Sequence, residues 1–227
     1  MTTKITWYGH AAIGIHTDGH FLLVDPYLSN NPLASEKPEN LSPDFILVSH
    51  GHGDHLGDTR SISKRSGATV ICNTEISAWL AKSEIKTHAM QIGGSHQFPF
   101  GRVALTFAIH GSVLPDGTFG GNPCGFLITT LDQQKIYLAG DTGLFGDMRL
   151  IGEEGIELAM LPIGGNYTMD PDDALRAVKL LNPHKVVPIH YDTFEIIRQD
   201  PQRWAERVRT ETKAEVQVLK PGDTLSL

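Results

Sequence analysis

The chain has 227 residues, 40% of them hydrophobic, and 26 acidic against 19 basic side chains give it a formal charge of -7. That length supports one sizeable core, and the negative balance offers no overall attraction to phosphate backbones or anionic lipid, which argues against a nucleic-acid or membrane partner. No apolar run approaches the roughly 18 residues of a membrane span, and the N-terminus lacks the features of a secretory leader, so the expectation is one cytoplasmic domain over residues 1–227.

Short apolar runs alternate with amphipathic stretches, the pattern of an α/β protein. "KITWYGHAAIGIHT" (4–17) and "HFLLVDPY" (20–27) read as strands of an antiparallel meander joined at "TDG". A Pro- and Asn-rich loop follows, then strands in "DFILVSH" (44–50) and "ATVICN" (68–73) on either side of one short helix in "GDHLGDTRSISKRSG" (53–67). "TEISAWLAKSE" (74–84) is a helix with Thr74 as its N-cap. "RVALTFAIH" (102–110) and "GFLITTLDQQKIYLAGD" (125–141) supply three strands, the last two joined at "LDQQ". Helices in 143–154 and 170–182, the second capped by Asp170, alternate with strands in "IELAMLPI" (156–163) and "KVVPIHYD" (185–192). A helix over 200–212 and strands over 214–219 and 223–227 end the chain. Two sheets covered outside by helices is one packing of this order.

The densest chemistry is "SHGHGDHLGD" (49–58), which follows an apolar strand. His50 and His52 are two apart and point the same way from extended backbone, whereas Asp54 and His55 come as the chain turns into a helix. One loop can therefore face two neighbouring points in space. Neutral imidazole and carboxylate suit zinc and other first-row metals, and the glycines at 51 and 53 clear the approach.

Three further coordinating residues end apolar runs: His110 in "VALTFAIH", Asp141 in "KIYLAGD" and His190 in "KVVPIH". Strand ends are where α/β scaffolds place chemistry. With the loop they make seven donors, enough for two metals. The two cysteines, Cys72 and Cys124, form no CxxC pair and read as small buried hydrophobes.

The ordered set "SHGHGDH", "AIHG", "AGDTG" and "PIHYD" resembles the metallo-β-lactamase superfamily over nearly the whole chain. "WYGHAAIGI", "LLVDPYLS" and "LPIGGNYTMDPDDA" are similar to its small prokaryotic branch, the UPF0173 metal-dependent hydrolases, whose distant relatives include ascorbate-6-phosphate lactonase and N-acylphosphatidylethanolamine-hydrolysing phospholipase D. The resemblance implies a four-layer αβ/βα sandwich with two metals in a groove at one edge of the sheets. It also implies that His50, His52 and His110 hold one ion, that Asp54, His55 and His190 hold the other, and that Asp141 bridges them. Asp25, ending "FLLVD", would orient a ligand histidine, and His10 in "WYGHAAI" would lie at the active-site edge as an acid or substrate contact.

Two adjacent divalent ions can share a water and lower its pKa, which favours hydrolysis of a carbonyl or phosphoryl centre without a protein nucleophile. The expected activity is hydrolysis of a small or medium ester, lactone or phosphodiester. A dedicated phosphodiesterase, or a metal-binding regulatory protein without turnover, is the alternative. Zinc leads as the metal, with manganese, iron and nickel open, and so is a homo-oligomer. The Gly-rich stretch 111–125 is expected as a rim over the metals, and Asn166 and Tyr167 as donors to a small-molecule substrate.

Overall fold

The computed structural model describes residues 2–227. Along the first half run β1 (Lys4–Gly9), β2 (Ala12–Thr17), β3 (His20–Val24), β4 (Phe45–Leu47), α1 (Gly53–Leu56), α2 (Thr59–Ser66), β5 (Thr69–Asn73), α3 (Thr74–Ala81) and β6 (Thr87–Met90). The second half holds β7 (Ser95–Phe98), β8 (Gly101–Phe107), β9 (Cys124–Thr130), β10 (Lys135–Leu138), α4 (Met148–Gly152), β11 (Leu158–Pro162), α5 (Pro171–Leu181), β12 (Lys185–Ile189), α6 (Pro201–Glu211), β13 (Glu215–Val216) and β14 (Thr224–Ser226).

These strands form two seven-stranded sheets, in the orders β14-β1-β2-β3-β4-β5-β6 and β13-β12-β11-β10-β9-β8-β7. Each is antiparallel over one stretch, β1 to β3 and β7 to β10, and parallel over another, β3 to β6 and β10 to β13. Strand alternation decides the layering. Ile15, Leu22, Leu47 and Ile71 of the first sheet meet Phe126, Ile128, Leu158 and Val187 of the second in one core. The neighbouring residues Leu23, Ile46 and Val70 point the other way, onto Ile62 of α2 and Ile76 and Leu80 of α3. Sheets buried on both faces explain why the strands read as unbroken apolar runs, and the result is the αβ/βα sandwich.

Several elements differ from the sequence reading. Residues 4–17 are two strands and not one, because Gly9 and His10 take φ of 108° and 54° and reverse the chain. A Cβ on Gly9 would sit 2.7 Å from the Leu33 carbonyl oxygen. The helix of 53–67 is split at Gly57, where a Cβ would lie against the Pro26 backbone, and at Asp58, whose carboxylate accepts from the Leu28 and Ser29 amides. β6 and β7 were absent from the reading because "THAM" and "SHQF" are half-polar strands at the two sheet edges. The helix expected over 143–154 is confined to the single turn and a half of α4.

The N-cap of α3 is Asn73 and not Thr74. Asn73 Oδ1 accepts from the Ile76 amide at 2.8 Å, and its Nδ2 donates to the carbonyls of Gly120 and Asn122 at 2.7 and 3.1 Å. This one side chain caps a helix and holds the 111–125 loop. Replacing it with Ala should cost about 2–3 kcal/mol, a lost cap plus two unpaired carbonyls, measured by urea unfolding; a loss below about 0.5 kcal/mol would show the loop is held elsewhere.

Candidate metal centre

The loop after β4 is shaped by its neighbours before any ligand is considered. Ser49 donates its amide to Asp25 Oδ1 at 2.8 Å and its hydroxyl to Asp25 Oδ2 at 2.6 Å, which pins the strand end. The Gly51 amide donates to Ser112 Oγ, and a Cβ there would press on the Val113 carbonyl and Leu114 at 3.2 Å. His52 is the extended N-cap of α1, so Asp54 and His55 fall in the first helical turn. The two serines beside the ligands thus hold backbone in place.

All seven donor residues of the sequence reading converge. His50 Nε2 lies 3.0 Å from His52 Nδ1, which lies 3.2 Å from His110 Nε2. Asp141 reaches both halves of the cluster: Oδ1 is 3.2 Å from His55 Nε2, and Oδ2 is 3.1 Å from His190 Nε2 and 3.5 Å from His110 Nε2. His110 is delivered by the chain beyond β8, Asp141 by that beyond β10, and His190 directly follows β12.

The donor set fits divalent cations. His55 Nε2, Asp141 Oδ1 and both ring nitrogens of His190 are buried without a hydrogen-bond partner. Two nitrogens about 2.1 Å from one tetrahedral ion lie about 3.4 Å apart, close to the separations found among His50, His52 and His110. The electrostatics agree. Burial, with the charge of His55 nearby, holds His50 well below the ordinary imidazole range, and burial lowers His52 and His110 too. Burial opposes charge on Asp141, yet His190 and His55 hold its carboxyl well below the usual range. Burial likewise opposes charge on His55, but Asp141 and Asp25 raise its pKa well above the ordinary value. Three imidazoles whose charged forms are disfavoured, gathered beside a buried carboxylate, constitute an unmet demand for positive charge.

Behind these donors lie Asp25 and His10. Asp25 Oδ2 takes the Nδ1 proton of His55 at 2.8 Å, which turns His55 Nε2 toward Asp141. His10 Nε2 is 3.2 Å from Asp54 Oδ2, and its Nδ1 is 2.8 Å from Thr193 Oγ1. A carboxylate only accepts, so Nε2 donates and Nδ1 accepts the Thr193 hydroxyl proton. The Tyr191 carbonyl, the other acceptor for that hydroxyl, is 3.4 Å away. Burial and the neighbouring His190 lower the His10 pKa to about 4, which keeps the ring neutral in this role. Burial opposes charge on Asp54, but the bond from His10 and the charge of His55 hold its carboxyl well below the usual range.

Above the donors is a cavity of about 190 Å³ lined by His52, Asp54, His110, Asp141, Tyr167, His190 and Phe194. Tyr167 is therefore at the cavity, whereas its exposed neighbour Asn166 is not among the lining residues. His10 is fully buried and is not among the lining residues either. The 111–125 stretch borders the His52 and His110 side and is fastened by the Val113–Phe119 bridge, by Asn73 and by Trp79 Nε1 donating to Asp116. Cys72 and Cys124 are buried, with thiols pushed up by burial, that of Cys72 to about 12. Among the described residues, His16, His20, His88, His96 and His184 join no metal-binding group. Thr193 and Phe194 escaped the sequence reading, although "YDTF" directly after the His190 strand end was the available signal.

A β-lactamase superfamily domain model matches residues 20–191. A UPF0173 metal-dependent hydrolase of Bacillus cytotoxicus is 46% identical over 230 residues, covering 99% of this chain and 100% of its own length. Another, from Pelotomaculum thermopropionicum, is 46% identical over 229 residues with the same coverage of both. The structure of Igni18, a metallo hydrolase from the hyperthermophilic archaeon Ignicoccus hospitalis, superposes with a TM-score of 0.92 at 39% identity over 100% of this chain and 99% of that one. With full-length relatives at this identity, a matching domain model and a shared fold, the chain belongs to the UPF0173 branch of the β-lactamase superfamily, a family of metal-dependent hydrolases.

Proposed function

We propose that this metal-dependent hydrolase works with two divalent ions on a small or medium ester, lactone or phosphodiester in the cavity lined by Tyr167 and Phe194. The supporting observation is the position of Asp141, whose carboxylate touches nitrogen donors of both halves of the cluster. His50, His52 and His110 would hold one ion; Asp54, His55 and His190 would hold the other; Asp141 would be shared. The nitrogen-rich set favours zinc, with manganese, iron and nickel also compatible. Such a pair would activate a water near neutral pH and polarise the oxygen of the bond to be cleaved.

The chain's own residues position the donors. Asp25 fixes the tautomer and direction of His55, and Ser49 fixes Asp25. Thr193 hands a hydrogen bond to His10, and His10 hands one to Asp54 Oδ2, leaving the remaining lone pairs of that carboxylate to the site. His10 is buried behind Asp54 and keeps that carboxylate turned toward the site. His10 acts here as a positioning residue. Phe194, 5.6 Å from the His10 ring in an edge-on contact, shields this relay from water.

Elemental analysis of protein saturated with zinc or manganese should find two ions per chain. Asp141→Ala should lose both and His190→Ala mainly one, each with hydrolysis reduced to background. Saturation at one ion under several metals would reject the binuclear reading.

Thr193→Val should keep both ions and lower kcat roughly 10- to 100-fold, the usual cost of breaking support behind a metal site, while Thr193→Ser restores it. His10→Gln should behave like Thr193→Val. Loss of an ion from His10→Gln would make His10 a ligand instead, and unchanged kcat in both variants would remove the relay from the mechanism.

A further inference from the structure

The least explained surface of the molecule lies at the mouth of the cavity. Two large exposed apolar side chains line it, Tyr167 at 56% and Phe194 at 38% exposure, and Ile196, two residues beyond Phe194, is 55% exposed. Exposed apolar residues scattered singly need no explanation, but two that line one cavity mark a place where an apolar group docks. The polar inventory points the same way. No lysine or arginine lines the cavity, and its two carboxylates, Asp54 and Asp141, are taken up by the ions they would hold. An anionic substrate would have the bound cations alone to neutralise it, whereas an uncharged carbonyl makes no such demand. The cavity volume of about 190 Å³ is smaller than the roughly 300–1,000 Å³ of sites that swallow a whole ligand. It admits a reacting group and a short stem, and a longer chain must lie along the rim.

We infer that the substrate is an uncharged carboxylic ester or lactone bearing an apolar chain, with its carbonyl over the metal-ligand cluster and its chain against Tyr167, Phe194 and Ile196. The inference rests on the hydrolase reading above and narrows its substrate class. Tyr167 and Phe194 are then the specificity-determining residues. Tyr167 follows the turn after β11, and Phe194 directly follows Thr193, so the apolar wall is continuous with the relay to Asp54.

Two measurements on the metal-replete protein test this. Calorimetry with straight-chain acyl hydroxamates, from acetyl to octanoyl, should show Kd falling roughly two- to fourfold per methylene, the partial to full value of a buried CH₂. Tyr167→Ser and Phe194→Ser should flatten the series while acetohydroxamate affinity and both ions are retained. Turnover of phenyl hexanoate should exceed that of phenyl phosphate and of bis(p-nitrophenyl) phosphate by at least 100-fold in kcat/KM. A flat series in the parent protein, or preference for either phosphate ester, overturns the inference and leaves the hydrolase reading standing. A rising series that the serine variants flatten, with no ester or phosphate turned over, supports the apolar site and defeats the hydrolase reading instead. If the serine variants change the oligomeric state by light scattering and leave the series intact, a second copy covers the rim and the inference fails.

Discussion

The structure turns on the mutual repulsion of donors brought together at strand ends of the two sheets. Three imidazole nitrogens face one another at 3.0 and 3.2 Å, and a buried carboxylate sits between two more. Burying such groups unpaired costs several kcal/mol each, so the fold carries a local debt that divalent cations are suited to cancel. Binding energy from the ions is then also folding energy for the loops that hold them.

Those loops are stitched to one another by backbone bonds, which is how so much repulsion is held in register. The Cys124 amide donates to the Ser49 carbonyl, the His190 amide to the His10 carbonyl, and the Gly143 amide to the Ile109 carbonyl. The first two cross from one sheet to the other, and the third ties the chain beyond Asp141 to the residue before His110. The His10 carbonyl also accepts from Trp7 Nε1 at 2.9 Å, which secures the left-handed turn that faces His10 toward Asp54. The rings of His10 and His190, 3.9 Å apart, are consequently fixed by the same peptide contact.

Chemistry and selectivity are divided between different layers of the site. The donors come from the ends of strands packed in a rigid double sheet, where displacement would disturb the core. The apolar walls come from Tyr167 in the turn after β11 and Phe194 in the segment after β12, whose side chains stand outside that core.

Local signals in the sequence determined what local physics governs. The spacing of His50, His52, Asp54 and His55 reads as a two-way ligand loop because period-2 backbone passes into a helical turn within a few residues, and His110, Asp141 and His190 read as strand-end donors because apolar runs stop beside them. The layered α/β class follows from strands apolar on both faces. The turn at His10 was not legible, since "WYGHAAIG" is apolar enough to continue as one strand and only the Gly9 contact with Leu33 shows why it reverses. The edge strands β6 and β7 were hidden because half-polar segments carry no clean alternation. The relay from Thr193 through His10 to Asp54 joins residues 183 and 44 positions apart, and the exclusion of Asn166 from the cavity beside its neighbour Tyr167 depends on a single turn. Tertiary structure alone decided these, because which buried group faces which is set by how the two sheets pack, and no residue's own chemistry encodes its partner across that distance.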